Sequence, residues 1–265
     1  MFERTRAEGR PAFIPFVPGG WPERDATVEI VQAAVDAGAD AFEIGMPFSD
    51  PLADGVTNQR AYQQALENGF SVADLFSAVE QLRDRGVRVP LLVMGYFNPL
   101  LAYGPGKFVQ DAVAAGVDGI IPVDLPPEEA EELEPAARAA GLHLMYLLAP
   151  TSTDERIGVV AEHGSGFIYC VSVTGVTGAR TAVSDELPAF LERVRAQTEL
   201  PLAVGFGISA REHVEEVGRH ADATIVGAAF VETIANASRE ERPDAIRAFV
   251  EEMSGRGTSA TPARG

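Results

Sequence analysis

The strongest chemical signals in this chain are a glutamate near the end of a short apolar run and an aspartate in the loop behind it. The run Ala41-Phe42-Glu43-Ile44-Gly45 continues into Met46-Pro47-Phe48-Ser49-Asp50-Pro51-Leu52-Ala53-Asp54-Gly55. Side chains alternate along a strand, so if Phe42 and Ile44 face a helical layer, Glu43 points the other way, into the sheet's interior. Desolvation there lifts a carboxyl toward the range of a general acid. The other reading of Glu43 is a loop-end carboxylate or an arginine ion pair. Asp54-Gly55 is either a second acid or ordinary turn chemistry.

Four further segments carry chemistry. Val173-Thr174-Gly175-Val176-Thr177-Gly178-Ala179-Arg180 has two Thr-Gly steps, which suit a hydroxyl-bearing lid or a plain connector. Gly205-Phe206-Gly207-Ile208-Ser209 and Val226-Gly227-Ala228-Ala229 each place glycine before a helix start. Backbone amides there can hold a phosphate, or the glycines serve close strand-helix packing. The apolar stretch Met94 to Tyr103 lines a pocket, forms a protein contact, or folds onto its own scaffold. Asp124 and Tyr169 are ligand contacts or satisfied structural groups, whereas Cys170 and Trp21 read as packing.

What is missing narrows the choice. Of 21 basic residues only Lys107 is lysine, and it sits in Gly104-Pro105-Gly106-Lys107, an exposed helix start rather than the desolvated site an imine needs. The four histidines are scattered, with no HExxH, CxxC or calcium-loop spacing, so no metal site is expected. No GxSxG elbow and no GxxxxGK[ST] loop occurs. A net charge of −18 repels nucleic acid and anionic membranes, so an anionic ligand must be held by local geometry. One cysteine rules out an intrachain disulfide. The charged start Met1 to Arg10 carries no apolar export core and no run is long enough to span a bilayer, so a cytoplasmic protein is expected.

The elements that must position these residues follow from periodicity. Apolar, β-rich runs recur at Phe13–Val17, Ala41–Gly45, Leu91–Tyr96, Gly119–Asp124, His143–Ala149, Phe167–Val173, Leu202–Gly207 and Ala223–Gly227. Amphipathic stretches between them predict helices over Ala26–Ala37, Val72–Arg85, Glu128–Ala140 and Ser184–Gln197. Gly38, Gly116 and Gly141 each fit a helix C-terminal cap just before a strand. Eight βα units in a chain of 265 residues predict a closed (β/α)8 barrel over residues 1–253, with a disordered polar tail at 254–265. An open doubly wound sheet would show GxGxxG after its first strand, where this chain has Val17-Pro18-Gly19-Gly20-Trp21-Pro22. In such a barrel, chemistry sits at the C-terminal ends of the strands.

Phe13-Ile14-Pro15-Phe16, the whole segment from Glu43 to Gly55, Gly175-Val176-Thr177-Gly178 and Gly205-Phe206-Gly207-Ile208-Ser209, in that order, resemble the tryptophan synthase α subunit family. The Glu43–Gly55 segment is the specific part, since the glycine motifs occur in many phosphate-binding barrels. The resemblance implies retro-aldol cleavage of indole-3-glycerol phosphate to indole and glyceraldehyde 3-phosphate. Glu43 then matches the acid/base glutamate, Asp54 the aspartate that receives the indole N–H, and Thr177 the lid threonine. Phe16, Tyr96, Asp124, Tyr169 and Phe206 match positions around the indole and its glycerol chain, and Gly178, Gly207, Gly227 and Ala228 match the phosphate cradle. It also implies no cofactor in this chain, a pyridoxal-phosphate β subunit as partner in an α2β2 assembly, and contact through Met46 to Asp50 and Tyr96 to Tyr103. Three departures stand out: Ala228 where serine is common, Val56 where proline usually follows Asp-Gly, and the first loop at Val17 to Pro22. A related barrel isomerase and a mainly activating partner subunit are the alternatives.

Overall fold

The computed structural model describes residues 1–172, 186–205 and 207–256. Nine parallel strand segments alternate with helices: β1 (Ala12–Pro18), β2 (Phe42–Gly45), β3 (Leu91–Gly95), β4 (Gly119–Pro122), β5 (His143–Leu144), β6 (Leu147–Leu148), β7 (Ile168–Val171), β8 (Leu202–Gly205) and β9 (Ala223–Val226). Their order in the sheet is β5-β4-β3-β2-β1-β9-β8-β7-β6. The two ends of that order are the two halves of the expected fifth strand. Leu144 pairs with Ile120 of β4, while Leu147 pairs with Tyr169 of β7. The chain between them keeps both ladders going, through Met145 N–H to the Ile120 carbonyl at 3.0 Å and Tyr169 N–H to the Tyr146 carbonyl at 3.1 Å. The sheet therefore closes on itself as the expected (β/α)8 barrel. The fifth strand divides because Ser165 takes both the amide and the carbonyl of Leu144.

Side-chain alternation sorts the core into two layers. Ala12, Ile14 and Phe16 of β1, Leu92 and Met94 of β3, Tyr169 of β7 and Ile225 of β9 pack together inside the barrel. Their neighbours Phe13, Val17, Phe42, Ile44, Leu91, Val93 and Cys170 pack outward against the helices. The predicted Gly caps hold: Gly38, Gly116 and Gly141 have φ of 107°, 93° and 72°. One helix expectation changes. Glu128–Ala140 is a 3-10 turn over Pro127–Glu132 followed by a helix over Glu134–Ala140, because Pro135 in the first turn lacks an N–H and forces a fresh start. The charged amino terminus forms a helix over Phe2–Ala7, and Met1 and Phe2 close the N-terminal end of the barrel against the inner layer.

That end is held by Asp40. Its side chain is fully buried and accepts from Arg4 (2.6 Å), Arg10 (2.6 and 2.9 Å), Arg256 (2.9 Å) and the Phe13 amide (2.9 Å). Desolvation pushes its pKa up, but the hydrogen bonds from Arg10 and the Phe13 amide outweigh it, so the carboxyl titrates below the ordinary range. Arg256 also donates to the Gly38 carbonyl. Packed chain therefore runs past the boundary expected at residue 253: the last helix spans Arg242–Ser254, Gly255 caps it in the left-handed region, and Arg256 reaches back to Asp40. The remainder of the expected tail, 257–265, lies outside the described residues.

Asp40→Asn should cost about 1.5–3 kcal/mol in denaturant unfolding at neutral pH, because it removes the charge-assisted hydrogen bonds that partly exposed arginines make to a buried carboxylate. A carboxyl with a depressed folded pKa contributes stability above its unfolded pKa and loses it as pH falls through the folded value. The deficit of Asp40→Asn should therefore shrink toward acid pH; a pH-independent deficit would contradict the ion-pair account.

Candidate active site

Strand register delivers Glu43 to the barrel interior. It lies level with Phe16 on β1 and Leu92 on β3, while Phe42 and Ile44 face the helices. The residue is fully buried, and neither carboxylate oxygen has a hydrogen-bond partner among the described residues. Neither alternative reading of Glu43, the loop-end carboxylate or the arginine pair, survives this. Burial alone pushes its pKa well above that of a solvated glutamate. Few structural carboxyls are kept in such surroundings, whereas proton-transfer groups regularly are.

Asp54 sits at the entry to the helix Val56–Glu67, with Gly55 as its N-cap, and is buried at 2% exposure. Tyr96, just past β3, donates its hydroxyl to Asp54 Oδ2 at 2.8 Å and accepts from the Ala53 amide at 2.9 Å. Asn58 donates to Asp54 Oδ1 at 3.3 Å, and Gln59 donates to the Asp54 carbonyl at 2.8 Å. Desolvation raises the Asp54 pKa, and the bonds from Tyr96 and Asn58 oppose it only in part. The tyrosine is thus a clamp: one hydroxyl joins the end of β3 to two consecutive residues of the loop after β2.

Aromatic groups and glycines shape the space around these acids. Phe16 meets Tyr62 edge-on at 6.3 Å, and Phe48 packs on Tyr96 at 5.3 Å. Tyr169 projects inward from β7, and a Cβ on Gly205 of neighbouring β8 would lie 2.2 Å from its hydroxyl. Gly205 thus serves close packing, the second of the two roles considered for these glycines. Asp124 is exposed and accepts from the Phe97 amide at 2.7 Å, which anchors the helix Phe97–Tyr103 beside Tyr96. The apolar stretch is that helix: Leu100 is buried, while Leu101 is 45% exposed.

At the ends of β8 and β9, Gly207 has φ 76° and Gly227 is the N-cap of the helix Ala228–Ala235, with no side chain capping it. The first amides of that helix have no intrahelical acceptor and lie at its positive end, which suits an anion. A Cβ on Gly227 would lie 3.3 Å from Phe16 and 3.5 Å from Asn58, so the anion-competent end abuts the acid-bearing part. Thr177, Gly178 and Phe206 lie outside the described residues. The structure thus brings together Glu43, Asp54, Phe16, Tyr96 and Tyr169, with Gly207, Gly227 and Ala228 at the rim of the same face; Asp124 is engaged as a helix anchor.

The family model of the tryptophan synthase alpha chain matches residues 2–257. This chain belongs to that family. The tryptophan synthase alpha chain of Roseiflexus castenholzii is 54% identical over 88% of this chain and 89% of the relative, and that of Chloroflexus aggregans is 50% identical over 95% and 94%. Among solved structures, Mycobacterium tuberculosis tryptophan synthase superposes with a TM-score of 0.88 at 38% identity, covering 96% of this chain and 95% of the other. The alpha subunit from Legionella pneumophila gives 0.87 at 36% identity, covering 96% and 95%.

Cys170 is buried in the outer layer, its thiol pushed up to about 12 by burial, which leaves little thiolate for nucleophilic chemistry. Trp21 is buried with its indole N–H on Gln64 at 2.9 Å. Lys107 is exposed and pairs with Asp111 one helical turn on. Among the described residues, no acidic, cysteine or histidine cluster could hold a metal, and no helix is long and apolar enough to cross a membrane. Sequence reasoning passed over Asn58 and Tyr62, although Asp54, Asn58 and Tyr62 recur every fourth residue, the spacing of one helix face.

The burial of Glu43 has a thermodynamic signature. A carboxyl whose folded pKa is raised loses stability as pH climbs from its unfolded toward its folded pKa, at about 1.4 kcal/mol per unit. Glu43→Gln should therefore match the parent's melting temperature in acid and exceed it increasingly toward neutral pH. A Gln variant less stable at neutral pH would mean that the carboxylate has a stabilising partner.

Proposed function

We propose that this chain cleaves indole-3-glycerol phosphate by a retro-aldol reaction, with Glu43 and Asp54 as its catalytic residues. The observation that carries the reading is a buried, unpartnered glutamate beside a clamped aspartate, on the face where a glycine-led helix end can hold a phosphate.

Cleavage requires C3 of the indole to gain a proton and the adjacent side-chain hydroxyl to lose one. Glu43, held toward its protonated form by burial, gives its proton to C3. The carboxylate left behind takes the hydroxyl proton as the carbon-carbon bond breaks, which releases the aldehyde and restores the acid. Protonated C3 puts positive charge on the ring nitrogen, and Asp54 accepts the indole N–H and balances that charge. The clamp from Tyr96 fixes the carboxylate in place and opposes the desolvation that would neutralise it. Phe16 and Tyr169 flank the ring and its glycerol chain, with Phe206, Thr177 and Asp124 completing the surroundings. Amides at Gly178, Gly207, Gly227 and Ala228 hold the phosphate; Ala228 gives no hydroxyl, so its N–H alone serves. Every proton has a protein donor or acceptor, so the proposed reaction calls for no cofactor in this chain.

The partner is a tryptophan synthase β subunit carrying pyridoxal phosphate, in an α2β2 complex. Leu52 is 81% exposed and Leu101 45% exposed, on the loop after β2 and the helix after β3, and both suit a protein contact at the mouth of the barrel.

An indole-release assay with and without a β subunit tests the function. Glu43→Gln and Asp54→Asn should each lower kcat by at least about 1,000-fold, of the order expected on losing a proton-transfer or charge-balancing group, with the fold retained. Substantial activity in either variant would remove that residue from its role. Consumption of substrate without indole would point instead to an isomerase, and turnover that appears only as activation of the β subunit would point to an activating subunit.

A further inference from the structure

Glu43 is not the only polar group left waiting in this part of the barrel. Tyr62 is fully buried, and among the described residues its hydroxyl has no hydrogen-bond partner. The residue belongs to the helix that opens just after Asp54, two turns along from Asp54 and one from Asn58, on the same face. Its ring meets Phe16 edge-on. The fold is cut away to admit it: a Cβ on Gly45 would lie 2.7 Å from the Tyr62 oxygen and 2.9 Å from the Phe16 ring. Gly45 is two residues beyond Glu43 on β2, so the hydroxyl stands one inward-facing position further toward the barrel mouth. Desolvation and the nearby Asp54 hold this phenol far above its ordinary pKa, which leaves a neutral donor.

A buried hydroxyl with nothing to bond to is destabilising, and phenylalanine would fill the same space without that penalty. The oxygen therefore needs an acceptor that arrives from outside the described chain. We propose that Tyr62 is a substrate-binding residue of this site, donating its hydroxyl hydrogen bond to a hydroxyl oxygen of the substrate's glycerol chain. The inference rests on the proposed cleavage of indole-3-glycerol phosphate. The ring N–H is a donor and goes to Asp54, and the phosphate is assigned to backbone amides at the rim. The glycerol oxygens are the remaining acceptors, and they sit beside the carbon that Glu43 protonates. A donor on the oxygen that loses its proton strengthens as negative charge builds there, so the contact acts in the transition state as well as in binding.

The test compares Tyr with Phe at position 62 on two ligands, indole-3-glycerol phosphate and an analogue lacking both side-chain hydroxyls. Binding is measured in a Glu43→Gln background, which removes turnover. Tyr62→Phe should lower kcat/KM for indole release about 10- to 100-fold. It should also shrink the preference for the hydroxylated ligand by a similar factor, leave binding of the analogue unchanged, and raise the melting temperature. Unchanged kcat/KM with an unchanged preference would overturn the proposal. Equal weakening toward both ligands would overturn it too, because that marks a packing role for the ring. If the parent protein releases no indole, the proposed function fails, while the hydroxyl preference in the Glu43→Gln background still reads out Tyr62 separately.

Discussion

Everything in the site depends on keeping one carboxyl dry. Glu43 occupies an inward position on β2, fully buried, where no described group hydrogen-bonds either of its oxygens. Asp40, three residues earlier, shows that the fold can satisfy a buried acid when stability is the purpose. Three arginines and an amide converge on it, and its pKa moves down where that of Glu43 moves up. The two acids divide along the barrel axis. Charge pairing braces the N-terminal end, and an unpaired acid is retained toward the end where barrel chemistry takes place.

The neighbouring elements supply geometry instead of compensation. The Tyr96 hydroxyl ties the loop after β2 to the end of β3, so Asp54 cannot drift relative to Glu43. Phe16 links three parts of the site at once: it is level with Glu43, in contact with Tyr62, and close enough to Gly227 that a Cβ there would press on its ring at 3.3 Å. Small residues at Gly45, Gly205 and Gly227 let tyrosine hydroxyls and an aromatic ring into the barrel mouth. At Gly45 and Gly205 the tyrosine hydroxyls across from them leave no room for a side chain.

Much of this was legible in the residues before the fold was known. Alternation around Glu43, the eight β-rich runs and the capping glycines depend on short-range regularities that survive in any single chain, and the inner and outer layers of the core follow them. Three features were not legible, each for a non-local reason. The fifth strand divides because Ser165 competes for the backbone of Leu144. The amino-terminal helix forms because Met1 and Phe2 have the open bottom of a barrel to plug. Tyr62 carries no signal of its own in the sequence, and its oxygen gains meaning only from the space above Gly45. Asp124 is legible as a candidate from its place at the end of β4, and its carboxylate also anchors the helix after β3, a contact that no local pattern announces.

The most direct test of the central claim is infrared difference spectroscopy of the carboxyl groups, comparing the parent protein with Glu43→Gln across pH. The account predicts a protonated carboxyl C=O stretch that persists above the range in which solvated glutamates ionise and is missing from the Gln variant. A spectrum showing only an ionised carboxylate at position 43 under those conditions would contradict it.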